Sequence, residues 1–72
     1  MPNLSERLIQ LKTDNNLLQK DIAQGAGLAL RTYQYYEKGE RKPDSETIIK
    51  LANFFDVSSD YLLGLTDNPE RR

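Results

Sequence analysis

A chain of 72 residues, with ten basic and eleven acidic side chains and a net charge of −1, holds one domain. It has no cysteine and no histidine, so disulfides and thiolate-metal sites are excluded. The commonest metal ligand and the usual general base near neutral pH are missing too. No apolar run approaches membrane-spanning length and Met1 to Asn3 does not open a signal peptide, so a cytoplasmic protein without membrane contact is expected.

Leu4, Leu8 and Leu11 recur at i, i+4 and i+7, which is one face of a helix. Asn3 precedes them and Glu6 follows by three, a capping-box start. Asp14, Asn15 and Asn16 end the pattern with turn-forming side chains, placing a first helix over residues 4–14. Gln19 to Gly25 reads as a short second helix with Ile22 and Ala23 inward and Gln19, Lys20 and Gln24 outward. Gly27 and Leu28 make the next turn, where glycine tolerates a positive φ. A third helix is placed from Leu30 to Glu37, with Tyr33 and Tyr36 packing on one face, Tyr35 exposed, and Gly39 as its C-cap.

Glu40 to Pro43 forms a charged loop, and Asp44 caps a fourth helix with a buried stripe of Ile48, Leu51, Ala52 and Phe55. Val57 continues the core. Ser58 caps a fifth helix containing Tyr61, Leu62 and Leu63, and Gly64 stops it. The polar remainder, with Pro69, reads as a frayed tail or linker. No period-2 run is bounded by turns, so no strand is placed. The expected fold is all-α: a compact five-helix bundle, with a domain over residues 1–65 and a tail over 66–72.

Charge is unevenly spread. Residues 19–42 carry Lys20, Arg31, Lys38, Arg41 and Lys42 against Asp21, Glu37 and Glu40, a net of +2. Residues 43–70 carry Lys50 against Asp44, Glu46, Asp56, Asp60, Asp67 and Glu70, a net of −5. A basic middle beside an acidic end suits one face to phosphates and another turned away from them. An ordinary mixed surface is the plainer alternative.

The stretch Gln19 to Gly39 carries the most information. Two short helices joined by a glycine-containing turn form the layout of a DNA-binding helix-turn-helix. Ala23 is small where the helices cross, Gly27 permits the bend, and Leu28 and Tyr33 fill the angle between them. The outer face of the third helix is left free for a major groove.

Matching residues extend over nearly the whole chain: Leu8 and Leu11 with Lys12, then Gln19, Ile22-Ala23, Gly27-Leu28 and Tyr36-Glu37-x-Gly39. Lys42-Pro43, Glu46-Thr47-x-x-Lys50-Leu51-Ala52, Phe55-x-Val57-Ser58 and Asp60-Tyr61-Leu62-Leu63-Gly64 follow in order. In these residues the chain resembles the Xre-like repressors, the family that includes lambda and Cro-type phage repressors. The resemblance implies a lambda repressor-like DNA-binding domain acting as a transcriptional regulator, a bacterial or phage repressor. Gln19, with Lys20 beside it, would open the second helix over the DNA backbone. Ala29, Leu30, Arg31, Thr32, Gln34 and Tyr35 would lie at the groove, Arg31 binding guanine or a phosphate and Gln34 pairing with adenine. Lys38, Arg41 and Lys42 would touch phosphates. Lys12 and Glu37 match positions that form an internal ion pair in some relatives.

Two positions depart from the family pattern. Leu18 and Ala29 stand where relatives usually carry Ser or Thr, so each removes a hydroxyl N-cap worth ~1 kcal/mol. With Leu30 they make the expected DNA face apolar. Leu30 or Ala29 could pack on a thymine methyl, which is the favoured account. Alternatively the face could meet a protein partner, or Leu18 could fold under the first helix without functional consequence.

Such proteins usually bind near-palindromic operators in double-stranded DNA as homodimers. Tyr61, Leu63 and Leu65 are the candidate subunit contact, unless a further domain dimerises. The main rival is a protein-interaction module, antirepressor or antitoxin-like, on the same scaffold. No catalytic constellation, metal motif or cofactor motif is found, so no enzyme is expected.

Overall fold

Among the described residues, three of the five helices begin at side chains that satisfy their free backbone N–H groups. The computed structural model describes residues 3–70. Helix α1 (Leu4–Asp14) starts in a capping box: Glu6 N–H donates to Asn3 Oδ1 at 2.9 Å and Asn3 N–H to Glu6 Oε1 at 3.2 Å. Helix α4 (Ser45–Phe55) is capped by Asp44, which accepts from Thr47 N–H at 2.8 Å. Ser58 Oγ accepts from Tyr61 N–H at the start of α5 (Ser59–Leu62).

Helices α2 (Gln19–Ala26) and α3 (Leu30–Lys38) have no side-chain acceptor at their caps, Leu18 and Ala29. At α2 only the return half of a capping box forms, with Leu18 N–H donating to Asp21 Oδ2 at 2.9 Å. No strand occurs among the described residues.

Each helix sends one fully buried side chain to the centre: Leu8, Ile22, Tyr33, Leu51 and Leu62. Ala23, Ala26, Ala52, Val57 and Leu11 fill around them. Helix α1 packs on α3 and α5, α2 on α3 and α4, and α4 on α5. No helix is long enough to stand alone in water, so the shared core holds all five in place.

Gly25 permits the close approach of α2 to α4. A Cβ there would come within 2.1 Å of Phe54 Cε1, well inside contact distance. Gly27 does different work. Its φ of +72° turns the chain out of α2, and Leu28 N–H then donates to Ala23 O at 2.7 Å.

Arg7 is buried, although arginine usually stays exposed. It lies in register with Leu4, Leu8 and Leu11 on the inner face of α1. Its guanidinium sits 3.9 Å from the Tyr61 ring centroid, and Nε donates to Tyr61 O at 3.0 Å. Nη2 reaches Thr66 O at 3.3 Å and Asp67 Oδ1 at 3.5 Å. Such paired, hydrogen-bonded burial is the condition under which a charge is tolerated inside.

Two sequence expectations change as a result. Tyr61, expected at a subunit contact, is a core residue beneath Arg7 and only 8% exposed. The expected frayed tail instead folds back through residue 70, held by Arg7 and by a Ser58 N–H bond to Pro69 O at 3.1 Å. The last two residues of that expected tail lie outside the described residues. Helix ends also shift slightly: α2 runs to Ala26, α3 to Lys38, and α5 stops at Leu62.

Candidate nucleic-acid interface

Helices α2 and α3 pack against each other across the turn between them. Tyr33 is wholly buried and Leu28 half-buried in their angle. That packing fixes which side of α3 faces outward. Ala29, Leu30 and Arg31 are exposed at its first turn, while Thr32, Gln34 and Tyr35 are half-buried. Arg31 and Tyr35, four apart, share one face. Lys20 is exposed on α2, and Lys38, Arg41 and Lys42 are exposed at and beyond the end of α3.

Leu18 is 59% exposed and Leu30 43%, and both line one shallow depression with Lys12, Leu17, Gln19 and Lys20. Leu18 is therefore a surface residue and does not fold under α1. Its exposure follows from its position at the cap of α2, where the side chain points away from the bundle.

Gln19 and Gln34 differ from their expected roles. Gln34 Nε2 donates to Gln19 Oε1 at 3.0 Å, and Gln19 Nε2 donates to Glu37 Oε1 at 3.0 Å. Gln34 therefore bridges α3 to α2 with one of its amide hydrogens instead of standing free on the outer face. Lys12 Nζ completes the chain, donating to Glu37 Oε1 at 2.7 Å. The Ser5 hydroxyl donates to the Glu37 carbonyl oxygen. Helices α1, α2 and α3 are thus tied at one point.

Glu37 is 7% exposed. Burial pushes its carboxyl up, but the Lys12 ammonium, the Tyr33 phenol and the Gln19 amide outweigh burial and hold it below the ordinary glutamate value. Burial first, and the Glu37 carboxylate second, keep the Tyr33 phenol protonated far above its usual range. Among the described residues, however, neither Tyr33 Oη nor Glu37 Oε2 completes a well-aligned hydrogen bond.

At the far end of α3, Lys38 Nζ lies 4.0 Å from Glu40 Oε1. The Arg41 guanidinium sits 4.5 Å from the Tyr35 ring centroid, so Tyr35 is covered where an exposed ring was expected. Leu65 is 68% exposed and Leu63 half-buried on the α5 exit. The sequence reading missed Arg7 and Gly25. Arg7 had a signal in its core spacing on α1, whereas the partner of Gly25 lies 29 residues away at Phe54 and leaves no local trace.

Among the described residues, no three acidic side chains group as metal ligands would. Among the same residues, no helix is long and apolar enough to cross a membrane.

A family model for helix-turn-helix proteins matches residues 8–62. The chain is 40% identical over 65 residues to the uncharacterized HTH-type transcriptional regulator YobD of Bacillus subtilis, covering 90% of this chain and 58% of that protein. It is 40% identical over 53 residues to the cryptic phage CTXphi transcriptional repressor RstR of Vibrio cholerae, covering 74% and 48%. The chain thus spans about half the length of these relatives. A transcriptional regulator from Listeria innocua superposes with a TM-score of 0.79 at 40% identity, covering 86% of this chain and 58% of that one. The P22 c2 repressor bound to a synthetic operator superposes with a TM-score of 0.81 at 22% identity, covering 88% and 96%, and shows the shared fold. With α2 and α3 arranged as the two-helix unit and the match running from Leu8 to Leu62, the chain belongs to the helix-turn-helix family.

Proposed function

We propose that this chain binds double-stranded DNA sequence-specifically as a transcriptional regulator, a repressor of bacterial or phage origin working in the cytoplasm. One observation carries the reading: Leu30 and Arg31 stand exposed at the first turn of an α3 whose inner face is locked by Tyr33 and Glu37. A recognition helix needs a free, rigid leading edge to enter a major groove. The printed names of the relatives, which speak of transcriptional regulation and repression, support it.

In this reading Arg31 takes guanine O6 and N7 with its two-pronged fork, and Leu30 with Ala29 and Leu18 packs on a thymine methyl. Lys20, Lys38, Arg41 and Lys42 hold phosphates on either side, which sets register without reading sequence. Gln19, at the N-terminus of α2, keeps Gln34 and Glu37 in place and leaves the backbone N–H groups of that terminus to a phosphate. Two chains bind a near-palindromic operator with half-sites about 34–36 Å apart. Exposed Leu65 and half-buried Leu63 are the proposed subunit contact. The activity is binding, with no catalysis and no cofactor.

Titration of a labelled duplex by anisotropy tests the reading. Neutralising the phosphates that these four cations face makes affinity fall about a hundredfold per bound chain between about 50 and 200 mM salt. Binding that ignores salt would turn the Leu18–Leu30 surface over to a protein partner.

A further inference from the structure

The end of α3 holds three exposed cations, Lys38, Arg41 and Lys42, and the structure treats them differently. Lys38 is drawn toward Glu40 at 4.0 Å. Arg41 forms no ion pair among the described residues; its guanidinium instead lies over the Tyr35 ring, 4.5 Å from the centroid. Tyr35 is four residues after Arg31, so the ring under Arg41 belongs to the same helical face as Arg31. The loop residue Arg41 is thereby carried onto the α3 face, although it lies outside the helix.

We infer that Tyr35 is a positioning residue: its ring holds the Arg41 guanidinium at the trailing end of the α3 face, where it meets a DNA phosphate. This inference rests on the DNA-binding reading above. A free arginine must give up many rotamers to make one phosphate contact, and a stacked one has already given up most of them. The stack leaves the N–H edge of the guanidinium open, because an aromatic ring occupies only its face. With Arg31 at the leading end of the α3 face, the pair adds a positioned cation at the trailing end. Lysine could not replace Arg41 here, since an ammonium is a point charge that lacks the planar surface for stacking.

The test is a salt titration of wild type, Arg41→Ala, Tyr35→Leu, Tyr35→Phe and the Tyr35→Leu/Arg41→Ala double variant on one duplex. Tyr35→Leu keeps apolar bulk against the bundle and removes only the ring. Arg41→Ala lowers the slope of log affinity against log salt by about one per bound chain. Tyr35→Leu removes no charge, yet it lowers the slope part of the way and weakens binding about two- to fivefold. Tyr35→Phe keeps the ring and binds as wild type does. In the Arg41→Ala background Tyr35→Leu has no further effect.

Wild-type binding with an unchanged slope in Tyr35→Leu, or the same loss in both backgrounds, overturns the pair and leaves the DNA reading standing. A wild-type chain without salt-sensitive binding to any duplex overturns the DNA reading and the role of the pair with it. The ring-current shift of the Arg41 δ protons, lost in Tyr35→Leu, reports the stack in the free protein. Its absence in wild type overturns the positioning directly.

Discussion

Gln19 and Glu37 meet across the helix-turn-helix at 3.0 Å, the side-chain amide of one donating to the carboxylate of the other. Glu37 Oε1 accepts from Lys12 as well, at 2.7 Å. A single carboxylate oxygen therefore joins the three helices that set the angle of α3. In a low-dielectric site such a charge is costly alone and well tolerated when its partners are complete.

Removing Lys12 leaves Glu37 buried with part of its compensation gone. Lys12→Ala is expected to lower stability by about 1–2 kcal/mol, allowing for the partial exposure of the lysine, in the range of hydrogen bonds to charged groups. At about 4–8 °C per kcal/mol for a domain of this size, the melting temperature drops visibly. Lys38 is 69% exposed and faces Glu40 at 4.0 Å, so Lys38→Ala is expected within about 0.5 kcal/mol of wild type. Equal melting temperatures would contradict the role given to Glu37.

The same carboxylate links stability to pH. Its folded-state pKa lies below the ordinary value of 4.5, so it binds its proton less readily in the folded chain than in the unfolded one. The stabilisation is fully present above pH 4.5 and is lost as pH falls through the lower folded value. Melting curves of wild type and Glu37→Gln are expected to differ most near neutral pH and to converge below pH 4.5. A gap independent of pH would show that the charge contributes nothing.

Gly25→Ala tests the α2–α4 approach. In an exposed helix interior this change gains about 1 kcal/mol. Here the new methyl would clash with the edge of the Phe54 ring, and overpacking costs about 1–3 kcal/mol. Net destabilisation of about 1 kcal/mol is expected in urea unfolding. Adding Phe54→Leu should recover part of it. A stabilised Gly25→Ala would mean that Phe54 swings aside freely.

The empty caps can be filled. Leu18→Ser and Ala29→Ser each place a hydroxyl where the backbone is already extended (φ −96°, ψ 157° and φ −67°, ψ 141°). Each is expected to add about 0.5–1 kcal/mol. Leu18→Ser also completes the capping box that Asp21 has begun. Thermal melting at one pH decides it, and unchanged stability would show that solvent already satisfies these N–H groups.

Much of this fold was legible because its signals are local. Asn3, Asp44 and Ser58 announce their helices within three residues, and Gly27 and Gly39 mark the ends of α2 and α3. The Lys12–Glu37 pair spans 25 residues and was legible only through the family pattern. Arg7 was missed because a charged residue is read as exposed, even at core spacing, and with it went the burial of Tyr61 and the anchored tail. At the candidate site the exposure of Leu30 and Arg31 follows from the helical period of α3. The partners of Gln34 and Tyr35 were not legible, because Gln19 and Arg41 lie on other elements: what a helical face offers depends on what reaches it from outside the helix.

The most direct test of the account is selection from random duplex DNA with wild type and Arg31→Ala side by side. The account expects enrichment of a near-palindromic site in the wild type. It expects one base preference in each half-site to relax in Arg31→Ala, at about 1–3 kcal/mol of lost discrimination. No enriched site, or a variant that keeps every preference of the wild type, would contradict a recognition helix led by Arg31.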